Sequence, residues 1–440
     1  MKSRTVIILW AIAIALGITI AFVKYSQGIG QDKATDRAPG ETLLESFPAE
    51  KVASIEISGI ESTATLVEKE GQWTVTQRDN YPANSRNIND LLRTLAELKV
   101  TQGIEAGSSF APRFGMNENS SDPAEHGVTA VFKDDSGKQI ATLTFGKNLD
   151  SVATQSPYGG GATGRFVRNH ADESGFYAVS ELFGTLSEDP KSWLNDEFLK
   201  VEKIKTISLT KPGSDDNEWT LTREEEDGEF AFTDAFPGVK ADPAATGQLK
   251  SLFSYARFDD LIPASEVEKH TTPDMLQKAV ITTFEGLEYT VGLQPAKPED
   301  GAEESAAKTY LMTVAISGEL PKERKKAEKE TEEDAKKADE AFTERLAALR
   351  ESKKKTKALE GRTFEVSNFT VDALLKGRVE LMLKTPAPGT TPPPSTSGAS
   401  AFTPPIRIPT QPTPAPVEPE APKKEVVLPD TPEPQLPTGE

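Results

Sequence analysis

The chain contains no cysteine, only three histidines and a single long apolar run in 440 residues. Without cysteine it forms no disulfide, no thiolate zinc site and no thiol nucleophile, so its stability must come from hydrophobic cores. His126, His170 and His270 lie far apart in polar contexts. Zinc sites usually combine histidines at short spacing or add cysteine. The sequence therefore predicts no metal site, no cofactor site and no catalytic residue.

Basic residues are also scarce relative to acidic ones. The chain has 50 Lys and Arg against 69 Asp and Glu, which gives a formal net charge of −19. Nucleic acids and anionic lipid surfaces are polyanions that bind basic patches. This composition argues against nucleic acid as a partner. The acidic stretches at 215–218 and 224–227 lack the alternating ligands and the glycine of a calcium loop, so we interpret them as solvated turns.

The one long apolar run extends from Thr5 to Val23 and reads TVIILWAIAIALGITIAFV. As a helix it is about 28 Å long, close to the hydrocarbon thickness of a bilayer. The alternative is a cleaved signal peptide, but the apolar cores of signal peptides usually span about 7 to 15 residues. The run therefore predicts a transmembrane anchor at 5–23, which makes the lipid bilayer a partner of this chain.

The flanks of this run indicate its orientation. Lys2 and Arg4 precede it, whereas the basic residues after it are interspersed with acids. Positive charge favours the cytoplasmic side, and a short head is easily left inside while a large domain crosses. We expect a cytoplasmic stub at 1–4 and a single-pass protein of the inner (cytoplasmic) membrane whose body is extracytoplasmic.

Composition shifts divide the rest of the chain. Residues 24–46 are polar and contain glycine, which predicts a flexible stalk. The segment 322–360 consists largely of Lys, Glu, Ala and Arg. From Thr385 onward the chain holds 17 of its 32 prolines and few large apolar residues. Residues 385–440 are therefore predicted to be a disordered, proline-rich tail.

Between stalk and tail a series of elements occurs twice. The strand pattern VASIEI at 52–57 is matched by IKTISL at 204–209, and both alternate apolar and polar residues. A hairpin pattern at 66–75 is matched by one at 221–232. In each hairpin an acidic turn carries a glycine, which we expect to adopt positive φ.

The remaining elements follow in the same order in both copies: a helix, a second hairpin, a single strand and a short closing helix. They lie after Asn84, at 128–146, 165–168 and 189–194 in the first copy, and after Asp242, at 279–292, 309–312 and 371–376 in the second. This order predicts an α+β fold made of two similar units at 47–200 and 201–384. The charged segment 322–360 would be an insert in the second unit.

Six of these elements carry a family resemblance: Val52 to Ile57, Leu66 to Val75, Tyr81-Pro82-Ala83, Leu91 to Leu95, Leu143 to Gly146 and Asp189 to Leu194. The ordered set resembles the family known as domain of unknown function 4340, over about residues 47–384. Proteins of this family are single-pass envelope proteins, often encoded beside ABC-2-type permeases and the gliding-motility-like auxiliary transport protein. The resemblance thus implies membrane transport proteins as partners and no catalytic residues. The charged insert and the proline tail depart from the family pattern.

The charged insert is predicted to be helical, since its residues are strong helix formers with acids four positions before lysines. Ala335, Ala338, Phe342, Leu346 and Leu349 form one thin apolar stripe. Such a helix is either a solvated arm or one half of a coiled coil with a second helix. Because Phe342 and Leu346 are large apolar residues one turn apart, we predict that they contact a partner.

Three functions remain open. The first is a membrane-anchored, non-enzymatic accessory or scaffold protein of a bacterial envelope (ABC-type) transport complex. The second is an extracytoplasmic module that binds a glycan or a peptide in a cleft between the two units. The third is a carboxylate-dependent hydrolase, which the abundance of acids allows although no pair of carboxylates is identified.

Overall fold

The computed structural model describes residues 35–149, 161–172, 175–234, 239–297, 309–324 and 330–383. The predicted anchor at 5–23 and the predicted tail at 385–440 lie outside the described residues. Within the described ranges, no helix is both long enough and apolar enough to cross a bilayer. By their internal contacts, all the described residues belong to one compact unit.

The first sheet contains nine antiparallel strands in the order β4-β3-β2-β1-β6-β7-β8-β9-β5. Their bounds are β1 Ser54–Ser58, β2 Thr63–Lys69, β3 Gln72–Val75, β4 Tyr81–Pro82, β5 Val100–Glu105, β6 Val128–Lys133, β7 Gln139–Leu149, β8 Gly164–Asn169 and β9 Gly175–Val179.

The second sheet contains eight antiparallel strands in the order β12-β11-β10-β14-β15-β16-β17-β13. Their bounds are β10 Ile204–Thr210, β11 Asn217–Thr222, β12 Ala231–Phe232, β13 Asp260–Ile262, β14 Gln277–Thr283, β15 Leu287–Pro295, β16 Thr309–Gly318 and β17 Thr363–Ser367. Apart from the short edge strand β4, both sheets have the same order, strand for strand.

Seven α-helices occur in the described part of the chain. Their bounds are α1 Ser85–Glu97, α2 Pro123–His126, α3 Pro243–Thr246, α4 Val267–His270, α5 Glu332–Lys357, α6 Asn368–Leu375 and α7 Arg378–Leu381. The 26-residue helix α5 stands between β16 and β17, where the first sheet has only the short connection from β8 to β9.

The predicted strands and the first hairpin are confirmed. Ile55 and Ile57 of β1 are fully buried and alternate with half-buried neighbours. Between β2 and β3, Glu70 and Gly71 both have positive φ, 53° and 79°, as a two-residue hairpin turn requires. The expectation of positive φ at Gly228 is wrong, because residues 223–230 form a longer loop there that needs no tight turn.

The first predicted helix is confirmed, and the second is shorter than expected. Helix α1 begins after Asn84, whose side chain accepts a hydrogen bond from the Asn87 amide, and it buries four apolar residues. After Asp242, helix α3 extends for only one turn before a 3-10 segment, Gly247–Ser251. Glycine at the junction favours this change, since it destabilises a helix interior.

Besides the two-residue edge strand β4, four strands escape the sequence pattern: β5, β9, β13 and β17. In β9 every residue is buried, so the alternation that marks a half-buried strand is missing. These strands pair as β5 with β9 and β13 with β17, at the far end of each sheet. The first copy therefore has three more strands, and the second copy two more, than the predicted order of hairpin, helix, hairpin, strand and helix.

The predicted stalk is wrong for its second half, because residues 35–46 pack on the body. Leu43 is fully buried, and the Arg37 guanidinium lies 3.3 Å from a carboxylate oxygen of Asp172. Thr42 forms an isolated antiparallel bridge with Lys99. Burial of Leu43 and its neighbour Leu44 stabilises this segment against the sheet.

Candidate binding surfaces along the inserted helix

An aromatic cluster joins the two sheets. Tyr81 of β4 lies edge-on to Phe258 and Phe364, with ring centroids 5.8 and 5.9 Å apart. Phe198, in the connection between the copies, lies 4.9 Å from Phe364. Phe364 is fully buried, and the geometry is one in which aromatic pairs attract beyond simple burial. The two copies thus share core residues, although their division into domains at residue 200 stays a prediction.

Polar contacts fix the same junction. The Arg78 guanidinium donates two hydrogen bonds to Asp260, at 2.7 and 2.8 Å. The Asp79 carboxylate accepts a hydrogen bond from the Ala264 amide at 2.8 Å. Arg78 and Asp260 are each less than one fifth exposed, so this bidentate pair is poorly screened by solvent.

The C-terminal half of α5 is attached to the body at several points. Arg345 donates to both carboxylate oxygens of Glu285 at 2.7 Å and lies 2.9 Å from Glu202. Leu349, one turn further, is 6% exposed. Lys355 lies 3.0 Å from the Glu197 carboxylate in the connection between the copies. The hydrogen bonds to Glu285 raise the pKa of Arg345, so the guanidinium stays charged. The ion pair of Arg345 with Glu285, here called the clamp, attaches this half of the helix to the body.

No sequence pattern predicts this clamp. Arg345 and Glu285 are 60 positions apart, and each belongs to a stretch where charged residues are common. The pairing forms because α5 lies beside the hairpin turn between β14 and β15, and this turn contains Glu285. Sequence reasoning missed these residues because ion pairs between distant segments leave no periodic signal.

A groove of about 580 Å³ lies between the first copy and the C-terminal half of α5. Its volume is within the range of small-ligand sites. Its walls comprise Gln72, Tyr81, Pro82, Asn195, Glu197, Phe198, Lys200, Ala348, Glu351, Ser352, Lys355, Thr356, Ala358 and Leu359. A second pocket of about 200 Å³, around Arg345 and Tyr289, shares three of these residues. Amides, hydroxyls, two aromatic rings, two carboxylates and two lysines line the groove, which makes it a candidate binding surface.

The tyrosines beside these pockets predict alkaline sensitivity. Burial raises the pKa of Tyr81 to about 12 and that of Tyr289 to about 12. Tyrosines in an unfolded chain ionise near pH 10, so the unfolded state loses these protons first. The free energy of unfolding should therefore fall as the pH rises from about 10 to about 12, and be unaffected below that window. Urea unfolding across this range measures the effect.

Single Phe variants at Tyr81 and Tyr289 should each make this loss of stability less steep. Tyr255, which is 95% exposed, supplies the control, because Tyr255→Phe removes a hydroxyl already in solvent. If the free energy of unfolding falls as steeply with pH in the Tyr81→Phe variant as in the unmodified protein, burial of the Tyr81 hydroxyl does not contribute to the alkaline loss of stability.

The N-terminal half of α5 contains the predicted partner-contact residues. Phe342 and Leu346 are half-buried, and within the described residues neither packs against the main hydrophobic core. Thr331 caps the helix by accepting a hydrogen bond from the Asp334 amide at 3.2 Å. Arg324 precedes the helix and pairs with Glu330 at 2.8 Å. The role of Phe342 and Leu346 in a partner contact stays a prediction.

The structure places His170 beside two threonine hydroxyls of the first sheet. His170 Nε2 lies 2.7 Å from the Thr144 hydroxyl, which lies 2.8 Å from that of Thr129. Thr144 is 2% exposed, so a substrate cannot reach this hydroxyl. Burial lowers the pKa of His170. Among the residues that the structure describes, no three His, Asp or Glu side chains are grouped to hold a metal ion.

Comparison with known proteins identifies one family. Neither the curated proteins nor the solved structures show a significant match to this chain. A family model described as Domain of unknown function (DUF4340) matches residues 73–275, from β3 in the first sheet to the segment before β14 in the second. Residues 73–275 of this chain are therefore a DUF4340 domain, the family that the sequence resembles.

Proposed function

We propose that this chain is a membrane-anchored, non-enzymatic accessory or scaffold protein of a bacterial envelope (ABC-type) transport complex. In this proposal residues 5–23 cross the inner membrane and the body is extracytoplasmic. The shared strand order of the two sheets supports the interpretation of the body as one α+β unit used twice. The attachment of α5 carries the proposal, since one half of this helix is held by the body while the other half offers a surface.

The two halves of α5 differ in burial and in partners. From Arg345 onward the helix forms ion pairs with the second copy and with the connection between the copies, and Leu349 is buried. Before Arg345 its side chains are exposed or half-buried, and in the described part of the chain its polar contacts with the rest of the protein come from Arg324, which contacts Asp339 and the Ala335 carbonyl. A helix that is attached along one half presents the other half in a fixed direction, which favours specific contact at a low entropic cost.

The apolar stripe is the natural contact of this helix half. Phe342 and Leu346 are one turn apart on the face that also carries Ala335 and Ala338 and continues to the buried Leu349. Small and large apolar residues in such a stripe suit packing against a second helix. The partner in this proposal is a membrane protein of the transport complex.

A second function is favoured by the groove of about 580 Å³ beside Tyr81 and Phe198. An aromatic ring with amides and hydroxyls around it suits a glycan or a peptide. This extracytoplasmic binding module would be preferred over the scaffold if a ligand of either class raised the melting temperature while loss of the apolar stripe had no effect.

The double variant Phe342→Lys, Leu346→Lys tests the scaffold proposal. Two charges in the stripe should reduce co-purification of the full chain with its membrane partner by about tenfold, because a helix contact that buries two large apolar residues stabilises by more than about 1.4 kcal/mol. The melting temperature of the body should change by about 2 °C or less, since neither residue packs against the main core. Quantitative mass spectrometry of the purified membrane complex gives the first readout and calorimetry the second.

The matched control is Ala341→Lys, Ala347→Lys. Both alanines are exposed positions of α5, and the variant adds the same two charges to the same helix. It should leave co-purification unchanged. If the stripe variant retains its partner while its melting temperature falls by several degrees, the stripe packs on the body of the protein and the proposal is wrong.

A further inference from the structure

The C-terminal half of α5 carries a basic stripe in an acidic protein. Arg350, Lys353, Lys354 and Lys357 occupy positions i, i+3, i+4 and i+7 of the helix, so they share one face about 10 Å long. With Leu320 and Ala358 they line a shallow groove of about 520 Å³. Among the residues that the structure describes, no acidic side chain lines this groove.

None of the four cations has an acidic partner among the described residues. No carboxylate lies within ion-pair distance of Arg350, Lys354 or Lys357 in the part of the chain that the structure describes. Lys353 donates to the Gly318 carbonyl oxygen at 2.7 Å, and a carbonyl leaves its positive charge unneutralised. By contrast Lys355, on the other side of the same helix, pairs with Glu197.

The net charge of −19 does not cancel this local field. At physiological ionic strength exposed charges are screened beyond about 8 Å, so a bound group senses the stripe more than the remote acids. Lysines near a helix C-terminus also interact well with the helix dipole. That effect accounts for single cations but not for a groove whose lining contains four cations and two apolar residues.

We infer that this basic stripe binds an acidic peptide segment of a partner protein. The inference rests on the proposed scaffold function, because it names the chemistry of the partner at a second place on α5. A stripe only one helix face wide matches a single strand or helix that carries several Asp or Glu side chains. Leu320 and Ala358 supply apolar contact between the charges.

The surroundings favour a narrow peptide over an anionic membrane. Glu319, Glu323 and Glu351 are exposed in the segments next to the stripe. A flat anionic surface would bring its own charges against these carboxylates, whereas a peptide in the groove contacts the four cations and the apolar Leu320 and Ala358. Membrane binding is therefore the competing outcome of the test.

The test uses the full chain in detergent and a short fluorescent polyglutamate peptide as the probe. Fluorescence anisotropy should show binding that weakens as salt is added, because exposed ion pairs are screened. The double variant Lys354→Gln, Lys357→Gln should weaken this binding by about fivefold, as expected for two exposed charge pairs. Phe342→Lys, Leu346→Lys should leave binding of the probe unchanged.

The matched control is Lys336→Gln, Lys337→Gln, which removes two lysines from the other end of the same helix. It should bind the probe as the unmodified chain does. Equal weakening in both double variants, no binding of the peptide, or binding of anionic phosphatidylglycerol vesicles in place of the peptide would each overturn the inference. Loss of peptide binding alone leaves the scaffold proposal standing, since that proposal is tested separately by co-purification.

Discussion

Replacing Phe364 by Ala should lower the free energy of unfolding by about 3 to 5 kcal/mol and separate the melting of the two sheets. Phe364 is fully buried in β17 of the second sheet, and its ring contacts Tyr81 of the first sheet and Phe198 between the copies. Deleting the ring removes contacts on both sides of the junction. We expect one calorimetric transition for the unmodified body and two for the variant.

Phe176→Ala is the control for Phe364→Ala. Phe176 is 1% exposed and stacks on Phe114 at 4.4 Å in a small cluster within the first copy, away from the junction. The same deletion there should destabilise the protein comparably but keep a single transition. A single transition in both variants would mean that the aromatic cluster does not couple the sheets, and that contacts such as Arg78 with Asp260 suffice.

Replacing Arg345 by Met should release the inserted helix from the body. The variant keeps a long side chain but leaves Glu285, which is 12% exposed, without its two hydrogen bonds. Loss of a fully buried pair costs about 3 to 5 kcal/mol. Arg345 itself is 34% exposed and Lys203 stays 3.6 Å from Glu285, so solvent and this second cation reduce the cost to about 1 to 2 kcal/mol.

That cost is measured by limited proteolysis with subtilisin. Local opening of α5 should become about tenfold more frequent, and cleavage between residues 330 and 357 should accelerate by a similar factor. Arg350→Met, at an exposed position of the same helix, should cleave at the rate of the unmodified protein. If the Arg345→Met variant is cleaved no faster than this control, Leu349 and the remaining contacts hold the helix without the clamp.

Local signals in the sequence account for most of the strands. The alternation in β1 and β10, the turns at Gly71, Gly137 and Gly286 and the cap at Asn84 each depend on neighbours a few positions away. The fully buried β9 and the short β13 lack such signals and were missed. The predicted stalk failed in its second half for a related reason: Leu43 and Leu44 are too few to form a pattern, yet both are buried in the hydrophobic core of the body.

The candidate surfaces likewise combine features that local sequence determines with features that depend on the tertiary structure. The helix of the insert and its thin apolar stripe are properties of residues three and four positions apart, so the sequence alone determined them. Its attachment through Arg345 and Glu285, the groove beside Tyr81 and the aromatic junction around Phe364 join segments far apart in the chain. Only the tertiary structure decided these, because contacts between distant segments follow from how the sheets pack and leave no mark in local spacing.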